Sequence, residues 1–182
     1  LGSMIEAIAI FSVVLTLGNR ILYVRSIFKG RTRPHLFSWI IWTLLSSIGF
    51  FAQLSDGAGM GAWGRGAGAA ASGLVALIAI WRGEKYIARA DWITFTAGLS
   101  AIPLWYLTET ALWSVILVSV IDTLGYFPTV RKSWNEPFGE LAFSYVISSF
   151  SSLLSLLVTE HYSLITVLYP AVLVITNLGL VV

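Results

Sequence analysis

The feature that most constrains this chain is its alternation of long, almost uncharged apolar stretches with short connectors that hold most of its charge. A stretch of roughly 20 apolar residues makes a helix long enough to cross ~30 Å of hydrocarbon. Seven such stretches occur, at about 4–25, 36–54, 66–82, 91–107, 110–130, 140–158 and 162–182. Hydrophobic residues make up 57% of the chain and charged residues 11%. Soluble chains average about 25% charged. The expected class is an all-α polytopic membrane protein with seven transmembrane helices.

The connectors carry the usual breakers: "KGRTRP", the glycine-rich "SDGAGMGAWGRG", "RGEKYIAR", "TET", "KSWNEPFGE" and "TEHY". None is long enough for a separate domain. Basic residues fall on one side. Arg25, Lys29, Arg31 and Arg33 follow the first stretch, Arg82, Lys85 and Arg89 the third, and Arg131 and Lys132 the fifth, while the other side has only Arg65. By the positive-inside rule this predicts an outside N-terminus and a cytoplasmic C-terminus in a bacterial-type inner or plasma membrane, which an odd number of spans satisfies. Residues 1–3 read as a cloning scar before Met4, and no cleavable leader is expected. The end at Leu180-Val181-Val182 reads as trimmed or very short.

An internal repeat is visible at a shift of 103 residues. It pairs Asn19 with Asp122, Tyr23 with Tyr126, Lys29 with Lys132 and Pro34 with Pro137. After three extra residues in the second copy, "FSWII" at 37–41 aligns with "FSYVI" at 143–147, and a shift of 105 pairs Ser72 with Asn177. Residues 4–82 and 110–182 are therefore expected to form two parallel three-helix repeats, with 91–107 as a linker helix (3+1+3).

The stretches "GNRILYVRSIFKGRTRP" and "GYFPTVRKSWNEP" carry a resemblance. The second resembles the PQ-loop signature of the SWEET (MtN3) and cystinosin transporter superfamily, with Pro128-Thr129 at the Pro-Gln position; the first copy has Arg25-Ser26 there. The resemblance implies a solute pathway between two three-helix bundles and alternating access.

Candidate site residues follow from polarity in apolar surroundings. Asp122 is read as a substrate ligand or proton carrier, because an intramembrane acid faces protein or a watery cavity; a structural partner role is the alternative. Asn19, its repeat mate, and Asn177 offer amides that must find partners if buried. Ser72 is a weaker contact, and Trp39 and Trp42 form an apolar wall. Tyr23 and Tyr126 lie four residues after Asn19 and Asp122, on the same helical face. They are read as gate residues or as interfacial aromatics. Pro128 removes a backbone donor and serves as hinge or helix end, whereas Pro103 and Pro170 are read as structural. Arg20 is read as snorkelling towards headgroups or as one half of an ion pair. The serines at 144, 148, 151, 152 and 155, echoed by Ser38, Ser46 and Ser47, suit close helix packing or a hydroxyl-lined route. Trp63, Trp81, Trp92 and Trp134 are read as interfacial anchors, and Trp105 as deeper.

Cysteine is absent, and His35 and His161 lie far apart, so no metal set, catalytic centre or cofactor is expected. The glycine run lacks a following Lys-Ser/Thr and is no phosphate loop. The expected function is transport of a small polar organic solute (sugar, amino acid or vitamin-like), with Asp122 as the candidate for proton coupling. The alternative is a receptor or sorting protein that binds without transporting. Expected partners are that solute, protons and membrane lipid, with no nucleic acid; a homo-oligomer is compatible but not required.

Overall fold

The computed structural model describes residues 2–55, 63–107, 111–157 and 162–181. It is all-helical, with α1 (Gly2–Phe28), α2 (Leu36–Ser55), α3 (Trp63–Arg82), α4 (Arg89–Tyr106), α5 (Ala111–Asn135), α6 (Ala142–Leu157) and α7 (Leu164–Gly179). A short 3-10 turn at Pro137–Gly139 precedes α6. The glycine run at 57–62, the "TET" hinge, His161 and the side chains of Trp63, Trp105 and Ser155 lie outside the described residues.

Among the described residues, no helix is long and apolar enough to cross a membrane. This corrects the expected seven transmembrane spans, and with them the membrane-protein class, the integral-membrane localisation and the outside-to-cytoplasm orientation. The reasons lie in length and interruption. Helices α6 and α7 have 16 residues each, about 24 Å at 1.5 Å per residue, short of the ~30 Å required. The apolar run of α1 is interrupted by Asn19, Arg20 and Arg25. Helix α4 starts with Arg89 and Asp91, and α5 holds Asp122, Arg131 and Lys132. The outward faces are nonetheless apolar, with Phe11, Ile21, Phe51, Leu77, Ile93, Phe143 and Ile175 all exposed. Buried polar side chains such as Asn19, Ser72, Asp122, Ser144 and Asn177 point inward instead.

Helix packing has the same order in both halves. In the first, α3 lies against both α1 and α2; in the second, α7 lies against both α5 and α6. The halves meet crosswise, α1 on α6 and α2 on α5, and α4 packs on α5 with an edge on α2. Small residues permit the closest crossings. A Cβ at Gly125 would stand 3.0 Å from Ile41 Cγ2 and 3.2 Å from Trp42 Nε1, so α5 approaches α2 at a glycine.

One end of the bundle collects the basic connectors. Helix α1 stops at Gly30, whose φ of 69° suits a residue without Cβ. Its N–H donates to Ile27 O at 2.9 Å, and Arg31 N–H to Ser26 O at 3.0 Å. Arg33 N–H donates to Gly139 O at 2.9 Å and Glu84 N–H to Pro34 O at 3.0 Å, which ties three connectors together. Pro128 is fully buried and does not end its helix, since α5 runs on to Asn135.

Candidate functional site: a polar cavity between the two halves

A cavity of about 410 Å³ runs between the halves. Helices α1, α2 and α3 contribute Arg20, Tyr23, Trp39, Trp42 and Ser72, while α5, α6 and α7 contribute Asp122, Tyr126, Ser144, Ser148 and Asn177. Its volume lies within the range of small-molecule sites, which pair an apolar wall with a few convergent polar groups.

The wall is a run of aromatic rings. Tyr23 and Trp39 lie 4.9 Å apart between centroids, Trp39 and Trp42 5.0 Å, and Trp42 and Tyr126 4.7 Å. Tilted and edge-on pairs at these separations suit the ring quadrupoles. The i, i+3 spacing of Trp39 and Trp42 puts both on one face of α2. The Arg20 guanidinium carbon sits over the Trp39 ring, 4.8 Å from its centroid. Burial draws the Arg20 pKa down; a guanidinium stays protonated regardless.

The predicted site residues divide. Asp122, Asn177, Ser72, Trp39, Trp42, Tyr23 and Tyr126 all line the cavity. Asn19 does not. Its Nδ2 donates to Ser144 O at 2.8 Å and to Ser148 Oγ at 3.0 Å, which fastens α1 to α6. Pro128 also lies off the cavity, next to the buried Thr129, whose hydroxyl donates to Ser38 Oγ at 2.8 Å across to α2. Asn177 donates its Nδ2 to Leu173 O at 2.7 Å and lines the cavity.

The basic end of the cavity is sealed by side chains that connect the halves. Tyr23 and Tyr145 donate their hydroxyls to Glu140 Oε2 at 2.6 and 3.1 Å. The other Glu140 oxygen holds the Lys132 ammonium, which also donates to Arg33 O and, at 2.9 Å, to Gly139 O. Burial, joined by the nearby Glu140 charge, pushes both tyrosine pKa values well up, so both remain neutral donors. Exposure rises away from this seal, from none at Tyr23 to Leu17 and Val13, which are both exposed. The cavity therefore opens towards the opposite end.

Beside the seal is a second buried charge cluster. Arg131 donates to both Asp91 oxygens, from Nε at 2.8 Å and Nη2 at 2.6 Å. The Ala88 N–H donates to Asp91 Oδ2 at 2.8 Å, and His35 Nε2 stands 3.3 Å from the same oxygen. Burial lowers the His35 pKa against the pull of Asp91, so the ring is neutral at pH 7. For Asp91, burial raises the pKa, but the Arg131 and Ala88 hydrogen bonds with the positive charge of Arg131 bring it below the usual carboxylate value.

Sequence reasoning missed Arg20 as a cavity residue, as well as Tyr145, Tyr169 and the Glu140, Asp91 and His35 contacts. The signal for Arg20 was its place beside Asn19, four residues before Val24 and well inside an apolar stretch. The α6 serines were singled out, and they serve both roles: Ser144, Ser148, Ser151 and Ser152 line the cavity, while Ser144 and Ser148 accept from Asn19 across the α1–α6 crossing.

No protein family model, curated protein or solved structure matches this chain.

Proposed function

We propose that this chain binds a small polar organic solute in the cavity between its two halves. The observation that carries this reading is the composition of the cavity wall. Arg20, Asp122, Ser72 and Asn177 converge on one space of about 410 Å³ beside the indole rings of Trp39 and Trp42. A solute bearing complementary donors and acceptors can meet these polar side chains without exposing apolar surface to them. Aromatic walls give such a solute its apolar contact.

The test is calorimetric titration of the purified chain with a panel of sugars, amino acids and vitamins, repeated on Gly68→Trp. Gly68 lines the cavity, and a Cβ there would meet nothing within 4 Å, so an indole at 68 occupies the space without a clash at its root. Saturable binding that this variant abolishes while keeping its helical content supports the reading. Equal binding by both proteins refutes it.

A further inference from the structure

The basic end of the bundle holds a second cleft, of about 420 Å³, none of whose residues lines the cavity between the halves. Its walls are the ends of α1 and α3 with the connectors that follow them, 29–35 and 83–88. Arg33, Arg82 and Lys85 line it with one acid, Glu84, while Ile27 and Trp81 add apolar surface. Bases at helix C-termini suit the helix dipole, which fades beyond the last turn. That accounts for Arg25 and Arg82, which lie in the last turns of α1 and α3. It does not account for Arg33 and Lys85, which lie past the helix ends.

The chain makes little use of these three charges. Among the described residues Arg82 makes no ion pair, and its guanidinium carbon stands 5.8 Å from the Phe28 ring centroid. Lys85 donates to Ile80 O at 3.1 Å. Arg33 comes within 4.0 Å of Glu136, but both side chains are more than half exposed, and such pairs are weak. Glu84 accepts the Tyr86 N–H at 2.8 Å. Three cations against one carboxylate in a concave surface focus a positive potential and draw anions to it. The frame that carries them is fixed. Glu84 N–H donates to Pro34 O at 3.0 Å, and Gly83 sits so close to Ala79 O and Pro34 O that no Cβ fits. Donors held in place beforehand cost less to bind with.

Charge and shape then select among anions. A phosphomonoester carries close to two negative charges at neutral pH and presents three strong acceptor oxygens. Guanidinium groups meet phosphate oxygens through paired N–H donors, and an ammonium meets them as a point charge. A carboxylate has one charge and two oxygens, so it would use fewer of the donors. We propose that this cleft is a binding site for the phosphate group of a phosphomonoester, held by Arg33, Arg82 and Lys85, with its organic part against Trp81. The site is separate from the solute cavity and goes beyond the reading above. A soluble ester and a phosphatidic acid headgroup carry this same chemistry, and the probes tell them apart.

The experiment is calorimetric titration of the full chain at neutral pH with phenyl phosphate and with phenol. Co-sedimentation with phosphatidylcholine vesicles, with and without phosphatidic acid, runs beside it. Both are repeated on Arg82→Gln, Lys85→Gln, Glu84→Gln and Arg25→Gln, the last an exposed base outside the cleft. Arg82 and Lys85 are exposed, so neither is needed for folding, and each variant checks the other. The expected result is saturable binding of phenyl phosphate and none of phenol. Arg82→Gln and Lys85→Gln each weaken it about tenfold or more, the loss of one hydrogen bond to a charged group. Arg25→Gln weakens it less than about twofold, as a screened exposed charge does. Glu84→Gln tightens it about twofold or more by removing a like charge, and its amide oxygen still accepts from Tyr86. Vesicle binding that needs phosphatidic acid, Arg82 and Lys85, without binding of phenyl phosphate, makes a lipid headgroup the source; the reverse makes it a soluble ester, and both support the site. Cleft variants that bind no more weakly than Arg25→Gln overturn it, because the basic end then acts as a diffuse field. Phenol bound as tightly as phenyl phosphate overturns it too, as does absence of binding to phenyl phosphate and phosphatidic acid alike. None of these outcomes touches the solute-binding reading, which Gly68→Trp tests separately.

Discussion

The Lys132–Glu140 pair is the contact on which the sealed end depends, and its removal has a calculable cost. Both side chains are nearly inaccessible, at 3% and 4% exposure. The ammonium has three acceptors, namely Glu140, Arg33 O and Gly139 O, and the carboxylate has two hydroxyl donors besides, from Tyr23 and Tyr145. Removing one member of a buried pair costs about 3–5 kcal/mol, because the survivor remains charged and out of water. Glu140→Gln and Lys132→Met are each expected to cost that much. In a chain of this size each kcal/mol moves the melting midpoint by about 2–4 °C, so each variant should melt about 6–20 °C early. The double variant Lys132→Met/Glu140→Gln has no stranded charge. Its losses are hydrogen bonds to Arg33 O, Gly139 O and the two tyrosines, each about 1–3 kcal/mol where a partner is left buried and unmet. Its total should fall short of the summed singles by about 2 kcal/mol or more. Denaturant melts of the four proteins close the cycle. If each single variant costs under about 1 kcal/mol and the two add, the pair is solvated and the burial argument is wrong.

Three further outcomes are expected. Gly83→Ala drives a Cβ against Ala79 O and to 2.6 Å from Pro34 O, both backbone, so it should destabilise by about 3 kcal/mol or more, as overpacking at its worst does; Gly18→Ala, which meets nothing within 4 Å in mid-α1, should stabilise by up to about 1 kcal/mol, and melts that rank the two alike refute the contact geometry. His35 has a folded pKa below its unfolded value of about 6.5, so its contribution is present above that pH and is lost as pH falls towards the lowered value; Asp91, also lowered, adds a second loss below about pH 4. A melting profile from pH 8 to 3 should show both slopes in the wild type and only the lower one in His35→Asn, and identical profiles would sink the assignment. Thr129→Val leaves buried Ser38 without the hydrogen bond at 2.8 Å and should cost about 1–3 kcal/mol, whereas adding Ser38→Ala should recover part of it; a larger loss in the double variant speaks against the bond.

The helices themselves were legible in the sequence. Apolar runs bounded by Gly, Pro and charge give seven helices close to where the structure has them, because a run of that kind has no better way to satisfy its backbone than a helix. What was not legible is what those helices are long and apolar enough to do. Run length was counted from connector to connector, and polar residues inside α1 and α5 were treated as exceptions to a span rather than as its interruption. Among cavity residues, Asp122, Asn177, Ser72, Trp39 and Trp42 stood out because polar or bulky side chains in apolar helices are few. Asn19 had the same signature, yet its amide fastens α1 to α6; polarity alone does not tell a helix tie from a cavity wall. Arg20, read as snorkelling or as one half of an ion pair, was not read as a cavity wall, for the converse reason. A long side chain can turn either towards solvent or inward, and only the position of the Trp39 ring decides it. The Lys132–Glu140 and Arg131–Asp91 pairs join residues on different elements, and no local pattern announces them.

The matched packing order of the two halves has a consequence for how a bound molecule would lie. Helices α1 and α5 occupy equivalent places, each against the third helix of its own half and the middle helix of the other. Such a cage, if its lining were also duplicated, would accept a solute equally well in two orientations related by half a turn. The lining is not duplicated. Where α1 has Asn19-Arg20, α5 has Asp122-Thr123, so the positive charge belongs to one half and the negative charge to the other. A symmetric scaffold with an antisymmetric charge gives the cavity a direction. Any solute with two unlike ends enters it with a head and a tail already decided.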